Sequence, residues 1–251
     1  MKSLLFLLLL TIQMALSAVP VTDSLFVKGN EYYMQKQYAM AEQCYSRVIQ
    51  LGFESADLYF NLGNALYKQE KLAAAILYYE KALILKPGDQ DIKENLALAN
   101  ARIIDKIDAI PEFFVKRWIN GLKSMFSPDT WAIICLVLFV LGLAGFLMYY
   151  ISSSYGFKRA AFTIGVVFII LLGISVTLMI TRIRTIINKE SAIIMSTSVT
   201  ARSSPDEQST NVFVLHEGTK VSITDSILNW KEIRIPNGNT GWVPEESLEE
   251  I

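Results

Sequence analysis

The chain is poor in the residues that most catalytic and metal sites require: its 251 residues include one histidine and two cysteines, and no glycine-rich phosphate loop. A Ser-His-Asp triad has only His216 as its base, and a His-rich metal site has no second ligand. Cys44 and Cys135 lie in different segments, so a disulfide between them is not expected. We therefore expect no enzyme, no catalytic residue, no metal site and no cofactor.

Basic residues are also too few at either end of the chain to form a phosphate-binding face. Residues 19–110 contain ten basic and twelve acidic residues, and residues 190–251 contain four basic and ten acidic residues. The middle segment, 111–189, has eight basic residues against two acidic ones. Nucleic-acid binding needs clustered positive charge, so we exclude it for both acidic segments.

Two long stretches lack Asp, Glu, Lys and Arg altogether. Residues 131–151 and 160–181 each have the length of about 20 apolar residues that crosses a bilayer. They explain the positive mean hydropathy of +0.35. With a short cytoplasmic turn at 152–159 and linkers at 109–130 and 182–190, they predict a transmembrane hairpin.

The amino terminus has the pattern of a secretory signal peptide, expected to span residues 1–18. Lys2 precedes an apolar core, and small residues follow at Ser17 and Ala18. Lys158 and Arg159 in the turn favour a cytoplasmic position, whereas the basic outer flanks favour the reverse. Since a signal peptide directs the chain first, we expect both soluble segments outside the cytoplasm.

The first hundred residues contain one unit written twice, with a period of 34 residues. Gly29, Ala41 and Tyr45 recur as Gly63, Ala75 and Tyr79. This period is typical of helical hairpins, in which small residues allow two helices to approach and large ones fill the remaining space.

The second copy resembles the tetratricopeptide repeat (TPR). The signature positions are Tyr59, Leu62, Gly63, Leu66, Ala75, Tyr79, Ala82 and Pro87. The first copy departs from the pattern at Lys28, Val48 and Phe53. The resemblance implies a TPR domain over 22–108, with repeats at 22–55 and 56–89. We expect residues 90–108 to form a capping helix that has no partner helix.

The TPR resemblance also implies a concave peptide-binding groove. The residues expected to face it are Phe26, Asn30, Tyr33, Phe60, Asn61, Asn64, Tyr67, Glu94, Asn95 and Leu98. Asparagine amides can pair with an extended peptide backbone. The alternative for the aromatic residues is that they fill the core between repeats. Phe26 and Phe60 occupy a position where carboxylate-clamping grooves carry a basic residue, which argues against such a clamp.

The carboxy-terminal segment, 191–251, changes to short β-rich runs separated by turns, among them the hairpin signal Asn237-Gly238. The runs 199–203, 215–221, 230–233 and 238–244 resemble bacterial SH3 (SH3b) domains, which implies a small all-β barrel that serves as a binding module. Trp230 and Trp242 either line its ligand groove or seal the barrel, with core packing favoured for Trp242. His216 lies in a turn of this pattern, where a structural role is expected.

Taken in order, the modules resemble the BatE-like proteins of bacterial aerotolerance (Bat) operons. The resemblance implies an inner-membrane, stress-tolerance component that works beside other Bat membrane proteins and a MoxR-type ATPase. The leading hypothesis is a non-enzymatic scaffold that binds protein partners through the TPR groove. The alternative is a peptidoglycan sensor or tether that uses the SH3-like domain, and an enzyme of unknown type comes third.

Overall fold

The computed structural model describes residues 21–107, 114–187 and 191–251. The predicted signal peptide lies outside these residues. In chain order the helices are α1 (Val21–Met34), α2 (Tyr38–Gln50), α3 (Ala56–Lys68), α4 (Leu72–Leu85), α5 (Gln90–Asn100), α6 (Phe114–Lys123), α7 (Pro128–Ile151) and α8 (Tyr155–Ile187). The strands are β1 (Ser191–Ile194), β2 (Ser198–Arg202), β3 (Asn211–His216), β4 (Lys220–Ile227), β5 (Trp230–Arg234), β6 (Thr240–Pro244) and β7 (Leu248–Glu250).

Helices α1 to α4 form the two repeats. In each repeat a tyrosine ring packs against a glycine, and this contact sets how closely the two helices approach. A Cβ added at Gly63 would lie 2.7 Å from the Tyr79 ring, and one at Gly29 would lie 2.5 Å from the Tyr45 ring. Both tyrosines are fully buried, as are Ala41, Ala75 and Ala82. Helix α4 ends at Leu85, two residues before Pro87, which cannot continue a helix.

The segment after the second repeat differs from the expected solitary capping helix. Helix α5 ends at Asn100, and the residues that follow it run onto the β domain. Ile107 packs against the β core, while Ile193 of β1 is buried within the helical core. The end of the stack therefore has a partner, because the β domain buries apolar surface that a lone cap would leave in water.

Helices α7 and α8 form a hairpin that is mostly exposed, unlike the core helices of a soluble protein. Both are long and apolar enough to cross a membrane, and only 17% and 11% of their most apolar windows are buried. They meet at glycines: a Cβ on Gly145 would lie 2.9 Å from the Gly165 backbone. The two helices thus indicate a membrane association.

The helices around the hairpin extend further than the sequence pattern predicted. Helix α8 begins at Tyr155, so only Ser152–Ser154 separate it from α7. Its first turn forms because the Lys158 N–H donates to the Ser154 carbonyl at 2.9 Å. At its other end α8 continues to Ile187, and the predicted linker 109–130 contains the helix α6.

The β domain is one antiparallel sheet with the strand order β3-β2-β6-β5-β4-β1-β7. Its core is formed by inward residues of several strands, including Ala201, Leu215, Ile233 and Val243. Strands β5 and β6 pair over their full length, with Glu232 opposite Trp242 and Ile233 opposite Gly241. The predicted fold class, TPR-like helical hairpins, a two-helix apolar hairpin and an SH3-like β domain, is confirmed.

The glycine contact in the second repeat makes a direct prediction. We expect Gly63→Ala to force the Tyr79 ring out of its place and to lower the free energy of opening of α3 and α4 by about 1–3 kcal/mol. Gly88→Ala is the matched control, since a Cβ there meets nothing within 4 Å. Hydrogen exchange of the full chain measures the opening free energy of α3 and α4 in both variants. Equal protection of these helices in the two variants would contradict the packing role of Gly63.

Candidate functional site

The concave side of the repeats holds a pocket of about 220 Å³. Its lining residues come from α1, α3, α4 and α5: Tyr33, Asn64, Tyr67, Lys68, Tyr79, Asn95 and Leu98. Five of these, Tyr33, Asn64, Tyr67, Asn95 and Leu98, belong to the set predicted for the groove. Leu98, which is 57% exposed, gives the pocket an apolar part. The amides of Asn64 and Asn95 give it a polar part.

Four asparagines lie on the A helices, which are α1 and α3, the first helix of each repeat, and α5, the helix after the second repeat. They form two equivalent hydrogen-bonded steps between neighbouring A helices. Asn30 Oδ1 accepts from the Tyr45 hydroxyl at 2.7 Å and from Asn61 Nδ2 at 3.1 Å. One repeat later, Asn64 Oδ1 accepts from the Tyr79 hydroxyl at 2.8 Å and from Asn95 Nδ2 at 2.7 Å. The amides therefore link one repeat to the next, a role in addition to the peptide pairing predicted for them.

The tyrosine hydroxyls in these steps remain donors over the whole physiological range. Burial raises the pKa of Tyr45 to about 12, with smaller contributions from Tyr33 and Cys44. Burial also raises the pKa of Tyr79 well above its usual value. Each hydroxyl thus keeps its proton and donates a hydrogen bond to an asparagine oxygen.

The phenylalanines predicted for the groove pack against the core instead of lining this pocket. The Phe26 ring lies 5.9 Å from the Tyr45 ring, and the Phe60 ring lies 6.0 Å from the Tyr79 ring. Glu94 is exposed and accepts from Gln90 Nε2 at 3.1 Å. For Phe26 and Phe60 the structure thus favours the alternative role of filling the space between helices.

Lys68 is a pocket residue that the sequence reasoning missed. It follows Asn64 by four positions, so the two share a helix face, and that spacing was the available signal. Arg102 lies near the same region, with its guanidinium 5.4 Å from the centre of the Tyr67 ring. Its guanidinium also pairs with Glu70. Lys68 therefore supplies a positive charge beside two amides.

The two tryptophans of the β domain lie outside its buried core. Both are partly exposed, whereas their strand neighbours Ile233 and Val243 are fully buried. Trp230 is opposite Pro244 and Trp242 is opposite Glu232, so both tryptophans lie on the outer face of the β5–β6 pair. This placement differs from the core packing that was favoured for Trp242.

The helical and β domains are joined by a hydrogen-bonded contact that the sequence did not reveal. Asp105 Oδ2 accepts from the His216 backbone N–H and from the Thr219 hydroxyl, each at 2.7 Å, and Oδ1 lies 2.8 Å from His216 Nδ1. Lys220 Nζ pairs with Glu80 at 2.7 Å beside it. His216 thus has the structural role expected for it, but the role is between domains.

The carboxylate of Asp105 is held ionised by this contact. Burial alone would raise its pKa, but the hydrogen bonds from Thr219 and His216 and the nearby charge of His216 lower the pKa below its usual value. A lowered pKa in the folded state means that the contact contributes stability at neutral pH and loses it as pH falls through that pKa.

Comparisons with known families match the two soluble domains separately. Residues 29–70 match the TPR repeat family, residues 56–89 match the tetratricopeptide repeat, and residues 197–249 match the bacterial SH3 domain. These are interaction modules. Among residues 21–107, 114–187 and 191–251, no three His, Cys, Asp or Glu side chains form a group able to hold a metal.

Two curated proteins are similar to part of the chain. Human protein O-mannosyl-transferase TMTC1 is 34% identical over 77 residues, which is 31% of this chain and 9% of TMTC1. The mouse protein is 32% identical over 77 residues, 31% of this chain and 8% of its own length. The chain thus spans less than a tenth of these relatives, so the transferase activity in their name is not carried over.

The Asp105 contact predicts a pH-dependent junction between the domains. In the full chain, amide protection of residues 211–219 should be high at neutral pH and should fall as pH drops through the lowered pKa of Asp105, which lies below the ordinary aspartate value of about 3.9. Asp105→Asn should lower protection at neutral pH and remove this acid step. Hydrogen exchange corrected for intrinsic rates measures both.

The matched control for this test is Asp225→Asn. Asp225 is exposed on β4, and its carboxylate accepts from the Ser226 N–H at 2.7 Å. The control should keep the wild-type profile. An unchanged acid step in Asp105→Asn would show that another group governs the junction.

Proposed function

We propose that this protein is a membrane-anchored, non-enzymatic adaptor that binds an extended peptide segment of a partner protein in its TPR groove. The observation that carries the proposal is the pocket of about 220 Å³, which brings together residues of three successive A helices. Tyr33, Asn64 and Leu98 come from α1, α3 and α5 respectively. A short groove of this kind suits a brief peptide segment.

The chemistry of the pocket favours a peptide that combines an apolar side chain with a negative charge. Leu98 and the rings of Tyr33 and Tyr67 offer apolar contact, while the amides of Asn64 and Asn95 offer donors and acceptors to a backbone. Lys68 gives an acidic side chain or a terminal carboxylate its counter-charge. Because Asn64 also holds Tyr79, Lys68 and Leu98 are the better residues to vary.

The contact between the domains has a consequence for their position at the membrane. If α7 and α8 both cross, the segments before and after them emerge on the same side, which agrees with Asp105 meeting His216. We assign that side to the periplasm and the membrane to the bacterial inner membrane, on the basis of the signal-peptide pattern. The order of modules supports a place beside other Bat membrane proteins in a stress-tolerance complex.

Paired substitutions in the pocket test the groove. The full chain in lipid nanodiscs is screened against synthetic peptides, with each sequence made both as a free acid and as an amide. We expect Lys68→Ala with Leu98→Ala to weaken the selected peptides roughly tenfold, on the order of 1.4 kcal/mol, because charge and apolar contact are both lost. Fluorescence polarisation measures the dissociation constants.

The matched control for the groove is Lys81→Ala with Leu85→Ala on α4. It removes the same two side-chain types from the second helix of a repeat. The control should bind like the wild type. Equal weakening in both double variants, or no peptide above background, would contradict the groove. Tighter binding of the free-acid peptides than of the amidated peptides would show that Lys68 binds a terminal carboxylate.

A second candidate function is cell-wall binding by the SH3-like domain, and the outer-face position of Trp230 and Trp242 favours it. Two partly exposed aromatic rings on the same face of a strand pair can stack on a peptide or sugar. In this alternative the protein is a peptidoglycan sensor or tether. The two functions use different faces and can be tested separately.

Co-sedimentation with purified peptidoglycan tests the second candidate. The full chain in nanodiscs should pellet with the wall material, and Trp230→Ala with Trp242→Ala should remove most of the pelleted protein because the aromatic surface is lost. Leu228→Ala, at a residue 89% exposed in the turn before β5, is the control. No enrichment over empty nanodiscs would exclude this function.

A further inference from the structure

A second, larger cavity lies where the helical repeats, the apolar hairpin and the β domain meet. Its volume is about 560 Å³, within the range of ligand sites. Residues that line it include Leu83 and Ile84 from α4, Lys93 from α5, Met125 after α6, Arg182 from α8 and Lys220 from β4. None of these residues belongs to the TPR groove.

Arg182 is the unusual residue of this cavity. Its Nε atom is buried, and among the residues that the structure describes it has no hydrogen-bond partner. A buried polar group without a hydrogen-bond partner destabilises the fold, and more so when the group is charged. Arg182 lines the cavity, so an anion there can accept from the guanidinium, which matches phosphate oxygens in two places, and can compensate its charge.

The other charges around the cavity also favour an anion. Lys93 is exposed at its edge, and Lys220 is paired with Glu80 at 2.7 Å. Among the side chains that line the cavity, Lys93, Arg182 and Lys220 are cations and Glu80 is a carboxylate. The remaining positive charge can compensate a phosphate, while Leu83, Ile84 and Met125 provide apolar surface next to it.

The position of Arg182 points to a lipid as the source of that phosphate. It lies near the end of the apolar stretch Tyr155–Arg184, where a spanning helix leaves the hydrocarbon. Helix α6 contacts α8 at this level, and its Phe114 and Trp118 are 71% and 73% exposed. Exposed aromatic side chains beside a spanning helix are typical of the headgroup layer.

We propose that this cavity binds the headgroup phosphate of an anionic phospholipid, with Arg182 as the main contact and Lys93 as a second one. The apolar lining then contacts the glycerol and the first carbons of the acyl chains. A bound lipid would join α4, α5 and α8, and so fix the soluble domains against the membrane surface. The inference rests on α7 and α8 crossing a membrane and does not depend on peptide binding in the groove.

Native mass spectrometry of the full chain tests the site. Protein purified in detergent is mixed with phosphatidylglycerol or phosphatidylcholine, and the lipid retained per chain is counted. We expect one phosphatidylglycerol to be retained in preference to phosphatidylcholine. Arg182→Gln should weaken its retention roughly tenfold, and Lys93→Gln should weaken it to a smaller extent.

Arg184→Gln is the matched control, because Arg184 is exposed two residues further along α8 and does not line the cavity. Retention that falls equally in Arg184→Gln, or that stays unchanged in both Arg182→Gln and Lys93→Gln, would overturn the proposal. Inorganic phosphate is added as a competitor. Displacement of the lipid by low millimolar phosphate would mean a site for free phosphate, and would overturn the lipid assignment.

Discussion

The arrangement of this protein depends on how the end of a very short repeat stack is covered. Two repeats and one further helix leave apolar surface on α4 and after α5, and a stack of this length cannot bury it alone. Ile193 of β1 enters the helical core, and Gly218 lies against Ile76 and Ile103. The β domain thus completes the helical core.

This close approach explains the residues at the junction. Gly218 has φ +86°, and a Cβ there would lie 2.7 Å from Ile103, so both the backbone and the space require glycine. With the turn held in this position, Asp105 reaches two donors of the β domain and the His216 ring. Buried apolar side chains make up most of the contact between the two domains, and these hydrogen bonds fix how the domains are oriented.

The same arrangement leaves the concave side of the repeats open. The β domain packs on α4 and the segment after α5, whereas the pocket with Lys68 and Leu98 is lined only by residues of α1, α3, α4 and α5. The proposed groove, the proposed lipid cavity and the outer face of β5 and β6 are therefore separate surfaces. An adaptor fixed at a membrane can use them together, since no one of them covers another.

Much of the fold could be predicted from local patterns. The contact of Gly63 with Tyr79 follows from residue size at a regular spacing, and a 34-residue period makes such spacing visible. Strand boundaries in the β domain follow from turns and alternation. The role of the groove residues does not follow from spacing alone, because Asn64 at a groove position can face a peptide, a neighbouring asparagine or both.

The sequence by itself determined the modules, their order and the repeated glycine–tyrosine contacts within the helical repeats, because those contacts lie across one helical hairpin. Only the tertiary structure decided that Phe26 and Phe60 pack against the buried tyrosine rings, that Asp105 meets His216, and that the Arg182 Nε atom is buried with no hydrogen-bond partner among the residues that the structure describes. These outcomes depend on residues up to 111 positions apart. Whether these residues come into contact depends on how whole domains bury apolar surface, and no local sequence pattern contains that information.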